Sequence, residues 1–365
     1  MNAITVQRWT ARSALFATVM GIGLVVLAAG PTLFAPGVTD RLTALFVYVI
    51  LGVMWNALAG YSGLVSVGQQ AFFGLGAYAA IRLSHGGVPV YAALLLGALL
   101  VGAVSLPLGE VMLRLHGGEF AIGMWVVAEL VHLLVNMDTL VNGETGTSLI
   151  AMDAVAAAAR RADTYWSAFA AMVALLLVVF LLLRGGLGAS LQAIRDDEHA
   201  AASVGVRVLA AKRIVFVLAA FGCALAGALW LASAITFQPR SYFGVQWTAY
   251  MIFMTLVGGL GTFEGPVLGA VLFFAVETLF GAAGVWYLVG LGAAALLFAL
   301  FVPRGIWGTA EQHFALRLLP VGYHVVLPSA PRASAGAGGQ ATCGRSAAQE
   351  AAATPGTSAS DRSKG

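Results

Sequence analysis

Ten mainly apolar stretches, each bounded by charge or by Gly and Pro clusters, follow one another between Ser13 and Val302. A helix crossing a hydrocarbon layer of ~30 Å takes about 20 such residues. Backbone polar groups cannot be left unpaired there, so helices or closed barrels are the available solutions. The stretches are Ser13 to Gly30, Leu42 to Ala59, Gly63 to Leu83, Val88 to Leu113, Phe120 to Asn136, Tyr165 to Leu183, Arg213 to Phe237, Trp247 to Gly261, Pro266 to Phe280 and Val285 to Val302. Continuous apolarity, with none of the alternation of a barrel strand, predicts an all-α polytopic membrane protein of about ten transmembrane helices.

Composition supports this reading. Of the residues, 60% are hydrophobic and 10% charged, against roughly 25% charged in a soluble domain, which excludes soluble, disordered, coiled-coil and collagen-like chains. The 45 glycines suit a bundle whose helices approach through small residues. Two cysteines, Cys223 and Cys343, give no disulfide framework or metal cluster. The pI near 9.0 comes from scattered basic residues and a net charge of only +3, so nucleic acid is not an expected partner.

Lys and Arg set the expected orientation. Ten crossings with the N-terminus inside give the inner face Arg8, Arg12, Arg114, Arg184, Arg195, Arg207, Lys212, Arg213, Arg304 and Arg317, and the outer face Arg41, Arg82, Arg160, Arg161 and Arg240. Both termini are then cytoplasmic. The first span reads as an uncleaved helix, with a secretory signal ending at Ala28-Ala29-Gly30 as the alternative. Residues 1–12 form a cytoplasmic N-terminus, 13–308 a transmembrane domain with an inner loop over 184–213, and 309–365 a cytoplasmic tail expected to be largely disordered after 329.

Three segments depart from plain apolar helix. Gly60 to Tyr78 puts five glycines and the polar residues Ser62, Ser66, Gln69 and Gln70 at membrane depth. That pattern fits either the interrupted backbone that lines a transport path or a glycine packing face whose polar groups bond to neighbouring helices. Ala189 to Gly205 carries helix punctuation: Asp196 or Asp197 to cap, Glu198 in the first turn and Gly205 to stop. A two-turn helix over Asp197 to Val204, slim at Ala200 and Ala201, is expected there, able to sit in a groove of another protein or to serve as a solvated connection. In Leu256 to Ala270, Gly261, Gly265 and Gly269 stand four apart, as in a helix-packing stripe.

Candidate chemistry is sparse. Glu129 and His132 share a helix face at Glu-x-x-His spacing, but a di-metal bundle needs a second such pair and two further carboxylates, so a hydrogen-bonded pair is the expectation. Glu110 and Glu277 lie toward span ends, satisfied by snorkelling or a helix partner, or used in gating. The only lysines, Lys212 and Lys364, follow Ala211 and Ser363, so no phosphate-binding P-loop is present, nor is a Gly-x-Ser-x-Gly, His-Glu-x-x-His or Cys-x-x-Cys motif. No catalytic residue and no metal site are expected.

Together, GLVSVGQQAFFGLGAY (63–78), GGEFAI (117–122), NGETGTSL (142–149), LQAIRDDEHAAASVGV (191–206), LVGGLGTFEGPVLGA (256–270) and FVPRGIWG (301–308) resemble the permease subunits of ATP-driven branched-chain amino acid importers, the LivH/LivM family. The resemblance implies a non-enzymatic inner-membrane subunit that binds no cofactor, with ATP and Mg used by two partner ATPases, a homologous permease beside it and a periplasmic solute-binding protein above it. It also implies that the EAA-like loop, here Glu198 to Gly205, docks in an ATPase cleft, which makes Arg195, Asp196, Asp197, Glu198, Ala200, Ala201 and Gly205 the expected coupling residues, while Ser62, Ser66, Gln69 and Gln70 are the path residues expected from their own pattern. Gln69 stands where the family usually has His, and an Ala-rich run, Ala154 to Ala159, follows the NGETG segment. Urea and short-amide permeases share these motifs. An ion-coupled secondary transporter is the reading from another class, with Glu129 and His132 as its titrating candidates.

Overall fold

The computed structural model describes residues 5–7, 11–152, 156–302, 304–314 and 324–326; the expected disorder after 329 lies outside them. Two units are distinguished, residues 1–6 with 325–365 and residues 7–324, and the second holds the helical bundle. In chain order it contains α1 (Ala11–Ala28), the short α2 (Gly30–Leu33), α3 (Pro36–Asn56), α4 (Gln70–His85), α5 (Val90–Met112), α6 (Gly117–Asn136) and α7 (Ala157–Arg184). Then follow α8 (Gly186–Asp196), α9 (Glu198–Ser203), α10 (Val208–Ala234), the short α11 (Pro239–Tyr242), α12 (Gln246–Gly258), α13 (Gly265–Phe280), α14 (Val285–Phe301) and α15 (Gly305–Phe314). The described strands are short: β1 (Thr5–Gln7), β2 (Thr147–Ser148), β3 (Thr236–Phe237) and β4 (His324–Val326), with β2 and β3 antiparallel.

Seven helical stretches among the described residues are long and apolar enough to cross a membrane. Each of the other three expected spans holds a helix, but a shorter or less continuous one. At the first, α1 ends against α7, where Tyr165 Oη donates to the Leu27 carbonyl (2.6 Å) and Trp166 Nε1 to that of Ala28 (3.1 Å). At the third and eighth, α4 has 16 residues and α12 has 13, about 24 and 20 Å at 1.5 Å per residue. The tail expected from residue 309 begins as helix, since α15 runs on to Phe314.

Helices α3 and α10 form the centre of the bundle, buried along most of their length, while α6, α13 and α14 expose broad apolar faces. Small residues explain how α10 packs so closely on α4. A Cβ on Gly76 would overlap the Ala224 carbonyl, and one on Gly227 would overlap the Phe73 carbonyl, so the two backbones touch where both helices lack side chains. The contact of α12 with α13 has the same origin at Gly258, Gly265 and Gly269. Gly261, expected in that stripe, is not helical: it sits in the turn between the two helices with φ 75°, a conformation that favours glycine.

Candidate functional site

The Gly60–Tyr78 segment is a broken helix. Helix α3 widens into one π-helical turn, Ala57–Tyr61, a feature frequent at functional sites. The chain then leaves helix until Gln70, passing through Gly63 at φ 73°. Arg213 pairs with Glu110, which puts the end of α5, and the start of α6 just after it, on the face that carries α9. Gly68 packs against the Met124 carbonyl so closely that a Cβ would overlap it, and Met124 is seven residues into α6, about 11 Å along it. The loop therefore climbs back into the apolar layer before α4 begins.

Irregular backbone at that depth needs protein partners. Trp55 Nε1 donates to the Ser66 carbonyl (2.9 Å), Ser62 Oγ to that of Leu58 (2.6 Å), and the Gly68 N–H to Ser66 Oγ (3.3 Å). Thr248, in the first turn of α12, donates to Gln70 Oε1 in the first turn of α4. Two shortened helices thus meet end to end by their N-termini, each carrying positive partial charge. Gln69 lies at this junction fully buried, with neither carboxamide atom hydrogen-bonded within the chain, although such a group normally finds a partner. Ser62, Ser66 and Gln70 are also buried within the subunit, at 2%, 0% and 1% exposure; Gly63 and Val65 are the exposed residues of the segment.

A second break follows α10. Ile235 ends that helix at φ 66°, an uncommon conformation for a β-branched residue. The chain returns through β3 and α11 to α12, with Phe243 packed where a Cβ on Gly74 would overlap its ring.

Away from the helix junction, α8, Asp197 and α9 form the connection between α7 and α10. Asp197 caps as the sequence pattern implies, its Oδ1 accepting from the Ala200 N–H at 2.9 Å. The helix proper is Glu198–Ser203, closed by Gly205 at φ 89°. Three of the expected partner-facing groups point differently. Arg195 Nη1 donates to the Gly60 carbonyl in the π-turn (3.0 Å) while the same guanidinium holds Asp196 at 3.1 Å. Glu198 pairs with Lys212 at 2.6 Å, with Lys212 only 5% exposed, and Ala201 is buried against the bundle. Asp196, Asp197, His199, Ala200, Val204 and Gly205 face outward.

Asn56 completes this junction. Its Nδ2 donates to the Thr262 carbonyl and its Oδ1 accepts from the Gly261 N–H, both at 2.8 Å. The end of α3, the α12–α13 turn and α8 therefore share one polar knot made of Asn56, Gly60, Arg195 and Gly261. Sequence reasoning missed Asn56, Lys212 and Thr248. Lys212 had a signal, since a lysine at the mouth of an apolar span calls for a nearby carboxylate.

On the opposite face, Glu144 of the NGETG segment gathers His132 Nε2 (3.1 Å), Asn136 Nδ2 (3.0 Å) and the Arg240 N–H (3.1 Å). Glu129 stands 3.6 Å from the other ring nitrogen of His132. Asp138 accepts from Tyr78 Oη at 2.5 Å and from the Leu140 N–H at 3.1 Å. The Tyr78 hydrogen bond is the largest influence holding the Asp138 carboxyl below the ordinary carboxylate range.

Residues 37–302 match the family model described as the permease component of the branched-chain amino acid transport system. The chain is 29% identical over 324 residues to the high-affinity branched-chain amino acid transport system permease protein LivM of Escherichia coli, an alignment covering 81% of this chain and 76% of that protein. The LivM protein of Salmonella typhimurium is likewise 29% identical, over 80% of this chain and 75% of its own. No solved structure matches. With the family model spanning the bundle from the start of α3 past the end of α14, the chain belongs to the family of branched-chain amino acid transport permease components.

Proposed function

We propose that this chain is an inner-membrane permease subunit of an ATP-binding-cassette importer that passes branched-chain amino acids across the bilayer. A second, homologous permease stands beside it, and a periplasmic binding protein delivers the solute. Two ATPase subunits hydrolyse ATP with Mg on the cytoplasmic side, where both termini also lie. The permease itself performs no chemistry. Its few ionisable groups at membrane depth leave selectivity mostly to the binding protein, and the solute crosses between the two permeases.

The observation that carries this reading is the division of labour in the inner connection. Helix α9 presents Ala200 and Val204 outward beside Asp196 and Asp197, while Arg195, Glu198 and Ala201 bind inward. A slim helix tied to the bundle at its back suits a lever seated in the cleft of an ATPase. When ATP draws the ATPases together, α9 moves as a unit, Arg195 carries the displacement to the π-turn of α3, and the broken segment 62–69 rearranges. The charges Arg195, Asp196, Asp197, Glu198 and Arg207 serve this inner connection.

Gly205 gives the test. A Cβ there meets nothing within 4 Å, so Gly205→Trp places bulk on the outward surface at the further expense of a strained positive φ. The variant is expected in the membrane at normal level with ATP-driven leucine uptake lost. Normal uptake by it would remove the proposal.

A further inference from the structure

Glu129 is an exposed carboxylate inside a membrane span. It stands twelve residues into α6, a helix long and apolar enough to cross a bilayer, about 18 Å from the Gly117 end and about 10 Å from Asn136. The face of α6 that packs on the bundle carries Phe120, Met124, Ala128 and Val135. Glu129 lies off that face, its side chain 63% exposed. An ionised group at such depth faces water or a charged partner, not lipid.

The chain itself leaves that carboxylate without a donor. Among the described residues the ionisable group beside it is His132, whose Nδ1 lies 3.6 Å from Glu129 Oε1, beyond hydrogen-bond reach. His132 Nε2 is bonded to Glu144 at 3.1 Å, and a neutral imidazole donates through one nitrogen only, so it serves Glu144. Two contacts fix the level of Glu129. Five residues before it, Met124 meets Gly68 just ahead of α4; nine residues after it, Asp138 accepts from Tyr78, eight residues into α4. Glu129 is therefore level with the junction of α4 and α12. Phe243, stacked on His132 with ring centroids 5.5 Å apart, leads into Val245 and Gln246, both exposed, at the start of α12. Glu144, His132 and Glu129 thus form a polar track from the NGETG segment to the level of the helix junction.

Resting on the reading of this chain as an amino acid permease subunit, we propose that Glu129 is the residue that receives the ammonium group of the solute as it crosses. The exposed side of α6 at this level borders the water-filled path, and the ammonium donates to the carboxylate oxygens that the chain leaves free. Charge selects the solute class: an α-amino acid brings the cation that Glu129 lacks, whereas urea or a short amide brings none. His132, held between Glu144 and Phe243, steadies the track and is not itself the contact. An ion pair set in water is weak, which suits a site that must release the solute and leaves its capture to the binding protein.

The test uses the assembled transporter in proteoliposomes, with ATP and leucine-loaded binding protein in excess. Glu129→Gln keeps the shape and loses the charge; it is expected to hydrolyse ATP and to import leucine at least about ten-fold more slowly, the effect of losing one charge-assisted hydrogen bond. Glu129→Asp, which keeps the charge, is expected to retain most of the uptake. Independently of transport, Glu129→Cys is expected to react with a membrane-impermeant thiol reagent at least five-fold faster than Leu130→Cys, whose exposed position is on another side of α6. Wild-type uptake by Glu129→Gln, an equal loss in Glu129→Asp, or equal labelling of the two cysteines would overturn the proposal. So would a cross-link from Glu129 to a Lys or Arg of a second permease. A wild-type assembly that imports no leucine would remove the underlying reading instead, and the proposal with it.

Discussion

Arg195, the next-to-last residue of α8, donates to the carbonyl of Gly60, 135 positions earlier in the chain, at 3.0 Å. Gly60 belongs to the π-turn, where the helical ladder is already widened and a carbonyl can turn to an outside donor. A Cβ at Gly60 would overlap Asn56 Oδ1 and lie 2.6 Å from the Gly261 nitrogen. One guanidinium thus joins the connection between α7 and α10 to the point at which the most buried span gives way to irregular backbone.

Glu198 and Lys212 form the second tie between α9 and the bundle, and their energetics are separable. Breaking a buried ion pair by removing one member costs about 3–5 kcal/mol. With Glu198 34% exposed, the lower end applies to Glu198→Gln. Replacing both, as Glu198→Gln with Lys212→Met, is expected to recover most of the loss, since no buried charge is left unpaired. A double-mutant cycle on thermal unfolding in detergent reads this as a coupling; additive losses would show that the pair is not what holds α9.

Close approach at Gly227 predicts a sharp steric response. Gly227→Ala drives a Cβ into the Phe73 carbonyl, and overpacking of this kind costs about 1–3 kcal/mol. Gly290→Ala, where the same Cβ meets nothing, is the control and is expected to leave the unfolding midpoint unchanged.

Asp138 gives a pH dependence with a defined sign. Its folded carboxyl titrates below the ordinary aspartate value of 3.8, first through the Tyr78 hydrogen bond, so its contribution is present above that value and fades as pH falls through the lower folded one. Amide exchange across 138–149 is expected to stay slow at pH 4 and to quicken only in stronger acid. Tyr78→Phe should move that transition to higher pH, and an unmoved transition would assign it to another group.

Much of this was legible in the residues. Seven of the ten apolar stretches became helices long and apolar enough to cross a membrane, because length and hydropathy suffice to place such helices, while the other three hold shorter or interrupted ones. Asp197 and Gly205 marked the ends of α9 because capping and positive φ are local demands. The break at 62–69 was signalled by its glycines, but its depth was not, since that depends on Gly68 meeting Met124, 56 residues away. For the same reason Arg195 read as a surface charge: its target is a backbone carbonyl, and a carbonyl leaves no trace in sequence. Gly261 shared the spacing of a packing stripe with Gly265 and Gly269, yet the turn demanded by Gly259 and Gly261 took it out of the helix.

Val204, 80% exposed at the tip of α9, is the residue expected to reach an ATPase subunit. Val204→Cys should cross-link to that partner in native membranes, and Ala201→Cys, buried on the opposite side of the same helix, should not. Equal yields from both would place the partner elsewhere.

The most direct measurement of the account is the number of leucine molecules imported per ATP hydrolysed by the assembled transporter in proteoliposomes, for wild type and Arg195→Ala. If Arg195 transmits the movement of α9 to the broken segment, the variant hydrolyses ATP at close to the wild-type rate and imports at least ten-fold less leucine per ATP. An unchanged ratio in a variant that folds and assembles would contradict the account.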